Sequence, residues 1–540
     1  MFTLKYRRTI VPDSIASHVS ASHAAESGST LAESSAGRRG RAFEFSLCGL
    51  YAGLLALLTS RHILSSDEMQ AWLIARDSQS IPNLLHNMRY EGHPVLWQLL
   101  LYIPAHISWN PVSLQIANYI LSIAEVWLIV SARKLHWSVR ALIPFSFFFF
   151  YRYGMFARNY MLAVLMLTAA ARCIVATRQR PRLAILFLAL ATFSHVLAIP
   201  IVAALGVLLF WPPASRKVLS LRALWRDSHF RAACLIFPIC LLAVYFSVGP
   251  PAGASIYAPQ YDSGRRAFAH YLVLTGSHAW EAFVPPDRLA IGIADRMGSS
   301  TSFALAECAA SALLLLLLTA TLRSARARVL FLITVSLELL ALAVTVHKPD
   351  PHHLGFLFVA YFLALLADVS GTVSPPARFK LPRRPALAVI LVVLGLQVEK
   401  TYSMSRQESA ASGTGVKAVS DWLVQSGLSA NPIVLQRYAF STVVVGYTRR
   451  ATAYYPACPC LGSFVVWSPE RDYDREVSAA ELRAVFPSPA RPILLVSGFP
   501  LSLERTRDLH MRLLRTFSGT EIRWQRSRSY QTYIYEQDAR

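Results

Sequence analysis

Long apolar runs alternate with short polar breaks from about residue 43 to residue 400. A helix needs about 20 apolar residues to cross the hydrocarbon core of a bilayer. The pattern predicts spans at 43–62, 112–132, 138–151, 159–177, 182–194, 196–211, 231–249, 301–322, 328–346, 353–369 and 385–399. That makes about eleven, the shortest extending into their flanks. The run "VLWQLLLYIPAHI", 95–107, is too short to cross and reads as an interfacial helix. Beyond residue 400 the period changes. "GTGVKAVSDWLVQSG" and "LSLERTRDLHMRLLRTF" have helical spacing, whereas "PIVLQ", "RPILLVSGF" and "YQTYIYE" read as strands. The fold class is therefore a polytopic α-helical membrane protein with a small C-terminal α/β domain. Its parts are a polar tail at 1–42, a membrane domain at 43–400 and the α/β domain at 401–540.

Composition agrees. Hydrophobic residues make up 54% of the chain and charged residues only 16%, against about 25% charged in soluble domains. The tail, rich in Ser, Ala, His, Gly and Arg, reads as disordered and lacks the pattern of a cleaved signal. The net charge of +22 would suit nucleic acid, but its placement excludes that class: Arg and Lys sit in short loops between apolar runs. If 95–107 does not cross, the loops with Arg133, Lys134 and Arg140, with Arg178, Arg180 and Arg182, with Arg323, Arg326 and Arg328, and with Arg383 and Arg384 all fall on the cytoplasmic side. If it crosses, all of them flip against the positive-inside rule. The outer segments are then 63–111, 151–158, a turn at Ser194–His195, 250–300, 347–352 and everything after about 400.

Those outer segments hold the candidate chemistry. Asp67 and Glu68 follow the first span, and Glu91, His93 and Pro94 precede the interfacial helix. A carboxylate partly desolvated at a membrane surface suits a base that deprotonates a hydroxyl; ordinary loop acids are the plain alternative. Arg158 is a cation on the side the charge rule disfavours, suited to clamping a lipid phosphate or to snorkelling; Arg152 reads as a snorkelling residue. His195 lies at a helix turn. "VHKPDPHHLG" gathers His347, Lys348, Asp350, His352 and His353. Adjacent histidines do not share a helix face, which favours phosphate contact over a dinuclear metal cage. Tyr257, Tyr261, Arg265, Arg266, Trp280 and Glu281 in 250–300 suit sugar contact or an interface belt. No nucleotide-binding, zinc-spacing or serine-hydrolase motif is present. Cys458 and Cys460, in C-P-C, are expected as free thiols or paired elsewhere, because a bond so short in sequence is strained.

The order of these features resembles the GT-C fold of polyprenyl-phosphate-dependent glycosyltransferases. It is most similar to the bacterial branch with protein mannosyltransferase-like enzymes, aminoarabinose transferases and rhizobial lipopolysaccharide-core transferases. The matched pieces, within about 43–400, are Asp67-Glu68, His93-Pro94, Ala157-Arg158 with Tyr160, and Ser194-His195. Val95 stands where the family often has a second proline, and Met155-Phe156 where many members carry an acid. The resemblance implies an inverting transfer from a polyprenyl-phosphate sugar to a glycan, lipid or protein acceptor at the periplasmic face of a bacterial inner membrane. Asp67 would be the base. Arg158, His195, Lys348 and His352 would hold the donor phosphate. Glu91, His93 and Tyr160 would line the acceptor loop. Glu68 would orient the acceptor or help hold a divalent cation, and is, with Glu91, a candidate for the missing second acid. A transporter of lipid-linked sugars and a membrane scaffold remain as alternatives; mid-span acids such as Glu125 and Glu338 would serve the former.

Overall fold

The computed structural model describes residues 40–211, 221–249, 265–286, 301–345, 350–369, 381–410, 415–437, 441–467, 471–523 and 526–537. The chain divides into two compact units, 1–50 and 51–540. In the first, residues 40–50 are helical; every contact given below lies within the second.

Seven helices among the described residues are long and apolar enough to cross a membrane. By length and composition the chain is a multi-pass membrane protein. The first is α1, Gly40–Thr59. The loop after it forms α2 (Ser66–Asp77), α3 (Ile81–Asn87) and α4 (Leu96–Ile107), the last being the expected short apolar helix. Next come α5 (Val112–Val130), α6 (Trp137–Leu142), α7 (Asn159–Val175), α8 (Pro181–Thr192) and α9 (Ile199–Leu209). The remainder are α10 (Leu221–Arg226), α11 (Ser228–Val248), α12 (Arg265–His278), α13 (Thr301–Thr321), α14 (Ala325–Thr345), α15 (Pro351–Asp368) and α16 (Arg383–Ala410).

Among the described residues the spans of full length are α1, α5, α11, α13, α14, α15 and α16, seven where the hydrophobic runs predict about eleven. Helices α7, α8 and α9 have 17, 12 and 11 residues. The expected span 138–151 is broken. Pro144, which lacks a backbone N–H, sits in a 3-10 turn at Ile143–Phe145. A π-helix, Phe147–Met155, follows. Its loosened carbonyls are satisfied from outside: the Asn118 amide of α5 donates to Tyr153 O at 3.0 Å and Gly154 O at 2.8 Å. Segments of this kind cluster at functional sites. Helix α16 runs 28 residues, so it passes through the expected domain boundary at 400.

The C-terminal part is a six-stranded mixed sheet with helices α17 (Gly415–Gln425), α18 (Ser441–Tyr447), α19 (Ala479–Val485) and α20 (Leu503–Asp508). Its strands are β1 (Ile433–Gln436), β2 (Ala453–Tyr455), β3 (Cys460–Gly462), β4 (Leu494–Ser497), β5 (Met511–Arg523) and β6 (Arg526–Gln537), in the order β3-β2-β1-β4-β6-β5. Strand β1 is parallel to β2 and β4, and the other pairs are antiparallel. All three expected strands are present. The helix expected over 501–517 is only α20; from Met511 the chain joins β5, where a long antiparallel ladder with β6 outweighs local helical spacing. Cys458 and Cys460 form a disulfide, against expectation. The chain reverses between β2 and β3, pairing Tyr455 with Cys460, and this puts the two Cα atoms 5.2 Å apart, within bonding reach.

The sheet is packed onto α2 and α4. One hydrophobic core joins Met69, Trp72 and Leu73 of α2 and Trp97 and Leu101 of α4 to Val443–Val445 of α18, Leu435 of β1 and Val496 of β4. Gly446 makes the close approach: a Cβ there would collide with Met69, reaching 2.7 Å from its Cε. We expect Gly446→Ala to destabilise the protein by about 1–3 kcal/mol, as overpacking does, and thermal unfolding in detergent measures it.

Candidate functional site

The site begins at the start of α2. Ser65 caps this helix: its Oγ accepts from Glu68 N, and Glu68 Oε2 accepts from Ser65 N–H at 2.8 Å, a reciprocal capping box. This fixes the two acids in opposite directions. Asp67 points out, its side chain 62% exposed, and pairs with Arg158 Nη1 at 2.9 Å. Glu68 points in and is fully buried.

Glu68 has both oxygens engaged. Oε1 accepts from Ala157 N–H at 2.7 Å, and Oε2 pairs with His62 Nε2 at 3.0 Å. His62 Nδ1 meets Glu408 of α16 at 2.9 Å. An imidazole facing carboxylates on both nitrogens is held as the cation. Burial alone would push His62 down; the two carboxylates reverse this and raise it. Burial alone would push Glu68 up; the imidazolium and the N–H groups of Ser65 and Ala157 outweigh it and hold the carboxyl low. Glu68 thus ties the start of α2 to the residue beside Arg158, and neither oxygen is open to a substrate.

Further segments gather around Tyr160, the ring beneath Arg158. The Arg158 guanidinium lies 5.2 Å over the Tyr160 ring. Asn159 Nδ2 donates to Ser194 O, and Leu96 N–H donates to Phe193 O, which draws the starts of α7 and α4 onto the turn before α9. His195 of that turn lies 4.7 Å from Tyr160 and 5.9 Å from His93, ring to ring. His352 of α15 lies 5.4 Å from Tyr160. Gly355, one turn on, lets α15 close against Phe148 and Tyr153 of the π-helix, where a Cβ would overlap both. Arg152 does not snorkel: Nη2 donates to His352 Nδ1 at 2.9 Å.

The structure therefore brings together Asp67, Glu68, Glu91, His93, Arg158, Tyr160, His195 and His352. Lys348 and His347 lie outside the described residues, as do Tyr257, Tyr261 and the side chains of Arg265 and Arg266. Glu281 pairs with His278. Among the mid-span acids, Glu125 accepts from Thr168 Oγ1, and Glu338 is buried in α14.

The histidines of the pocket are donors. His195 Nδ1 accepts from Leu197 N–H at 3.0 Å, so in the neutral ring Nε2 carries the hydrogen; it is buried without a partner among the described residues. Burial, with His93, His353 and Arg158 near, pushes His195 well down. Burial and then Arg158 push His93 down to about 4. The Tyr160 hydroxyl is also buried with no partner among the described residues. Asp350, His352 and His353 place metal-capable atoms within 4.8 Å of one another. The Arg152 guanidinium, however, donates to His352 Nδ1, which leaves the hydrogen on Nε2. That donor set fits an anion better than a divalent cation.

Glu91 is the acid nearest in kind to the missing second carboxylate. It accepts from Gln70 Nε2 at 2.8 Å, and Gln70 lies one turn beyond Asp67 on α2. Burial raises its carboxyl to about 7, helped by Asp67 and opposed by Gln70 and Arg158. A carboxyl raised on folding favours the native state at low pH, and that contribution is lost as pH rises from about 4.5 to 7. The melting temperature of wild type minus that of Glu91→Gln should fall over this interval.

No protein-family model matches the chain, and no curated protein does. Among solved structures, the chain is similar to the cryo-EM structure of the arabinofuranosyltransferase AftD from Mycobacteria, at 14% identity and a TM-score of 0.38, over 91% of this chain and 40% of that one. The chain thus spans less than half the length of that protein, and a likeness this slight assigns neither family nor activity.

Proposed function

We propose that the chain is an integral-membrane glycosyltransferase of the GT-C type. It moves a sugar from a polyprenyl phosphate to a glycan, lipid or protein acceptor at the periplasmic face of a bacterial inner membrane. The observation that carries this reading is the Asp67–Arg158 pair at 2.9 Å, set beside buried donors on Tyr160 and His195 that have no partner among the described residues. One acid and a basic, donor-rich pocket are what the reaction requires. Asp67 takes the acceptor's proton while the acceptor oxygen attacks the anomeric carbon. The bond from that carbon to the phosphate oxygen breaks, and its electron pair leaves with the polyprenyl phosphate. Arg158, with the Nε2–H groups of His195 and His352, stabilises the charge that develops. A phosphate that engages Arg158 draws it from Asp67, so donor binding frees the base.

The test is the protein in nanodiscs supplied with polyprenyl-phosphate sugars extracted from bacterial membranes. Acceptor-dependent release of polyprenyl phosphate is expected, and Arg158→Gln should slow it about 10²-fold, as loss of one oxyanion donor does. Release that is insensitive to Arg158→Gln would overturn the assignment of Arg158.

A further inference from the structure

The segment after β3 builds a second polar cluster on the flank of α2. Ser463 Oγ hydrogen-bonds Asp77 at the C-terminal end of that helix. Seven residues back along α2, the Gln70 amide donates to Val465 O at 2.6 Å and accepts from Val465 N–H at 3.0 Å. The segment therefore runs back along α2 toward Asp67, and the same Gln70 amide reaches Glu91.

Two residues beyond Val465, Trp467 is 38% exposed, and Tyr473 is 40% exposed. The Arg471 guanidinium lies between them, 4.1 Å from the Trp467 ring centre and 5.9 Å from that of Tyr473. Its Nε and Nη1 are buried with no hydrogen-bond partner among the described residues. Nearby arginines are neutralised: Arg475 pairs with Glu481, and Arg437 with Glu476. A guanidinium stacked on an aromatic face keeps its planar fork free to meet a carboxylate. Desolvation strengthens the charge-assisted bonds it then makes. Half-exposed aromatic faces, positive at the edge and negative over the ring, take the C–H face of a sugar.

We infer that Trp467, Arg471 and Tyr473 form a subsite for a carboxylate-bearing sugar, a hexuronate of the acceptor glycan. The inference rests on the glycosyl-transfer reading for the word acceptor, and on the cluster alone for the ligand. An anionic lipid headgroup would also satisfy a guanidinium. The two half-exposed aromatic faces beside the guanidinium, which suit the C–H face of a sugar ring, favour the sugar.

The experiment is calorimetric titration of the full chain in phosphatidylcholine nanodiscs, without donor. The probes are a glucuronate-terminated trisaccharide and its neutral, glucose-terminated counterpart. Wild type should bind the acidic sugar about tenfold more tightly, the gain of one charge-assisted pair. Arg471→Gln should erase the preference, and Trp467→Ala should weaken both sugars about fivefold, with melting temperatures unchanged. Arg471→Lys, which keeps the charge but loses the fork, should recover only part of the preference. Equal binding of the two sugars by wild type overturns the inference. So does a preference that survives Arg471→Gln, including the case in which that variant loses only binding to phosphatidylglycerol nanodiscs. Because the titration needs no transfer, an inactive preparation that binds the acidic sugar would retain the subsite while the proposed chemistry fell.

Discussion

Replacing Asp67 with asparagine is expected to lower kcat about 10³-fold, within the range of a general base, and to leave the fold intact. The two halves of that expectation rest on different observations. Asp67 is exposed on the first turn of α2, and its contact with Arg158 is the ion pair at 2.9 Å. A pair so open to solvent contributes about 1 kcal/mol or less to stability. Asparagine keeps the shape and a hydrogen bond to Arg158 but cannot accept the acceptor's proton. The check is single-turnover transfer with donor bound, alongside a melting curve. Full activity in Asp67→Asn would remove Asp67 as base. Lost activity with a collapsed melting temperature would make it structural.

Glu68→Gln should do the reverse. It should destabilise the protein by about 3–5 kcal/mol, the cost of leaving a buried ion without its partner, and lower activity only as the site loosens. His62 would keep Glu408 alone, and the N–H groups of Ser65 and Ala157 would face a weaker acceptor. The pH dependence has a definite sign. Glu68 is held below its ordinary value of 4.5, so its contribution is present above that pH and lost as pH falls. His62 is raised above 6.5, so its contribution is full below that pH and lost as pH rises through its folded value. The pair stabilises most between about pH 4.5 and 6.5. The variant's deficit in melting temperature should be largest in that window, and His62→Gln added to Glu68→Gln should recover part of it.

These two neighbours are adjacent in sequence and opposite in role, and the sequence already contained the clue. Ser65 and Glu68 stand at the spacing of a capping box. That spacing turns Glu68 back onto the helix end and leaves Asp67 outward. Read as a pair of acids, they looked alike; read as a helix start, they separate. Arg152 is a different case. Its outward position in the expected topology suggested snorkelling, and only the broken, π-helical course of 147–155 turns it onto His352.

Hydrophobic spacing by itself determined the membrane class, the short apolar helix at 95–107 and the three strands of the C-terminal sheet. Each of these depends on local period and run length, which neighbours in the chain decide. The tertiary structure decided the rest. It broke 138–151, shortened the helices that lean on neighbours, extended α16 past residue 400 and turned 511–523 into a strand. It closed the Cys458–Cys460 bond, and it buried Glu68 while leaving Asp67 in solvent. It also set the C-terminal sheet against α2, where Gln70 links Val465 to Glu91. These outcomes depend on contacts between residues up to 395 positions apart. Such contacts are fixed by packing and by the need of buried polar groups for partners, and no local window of sequence contains both ends of them.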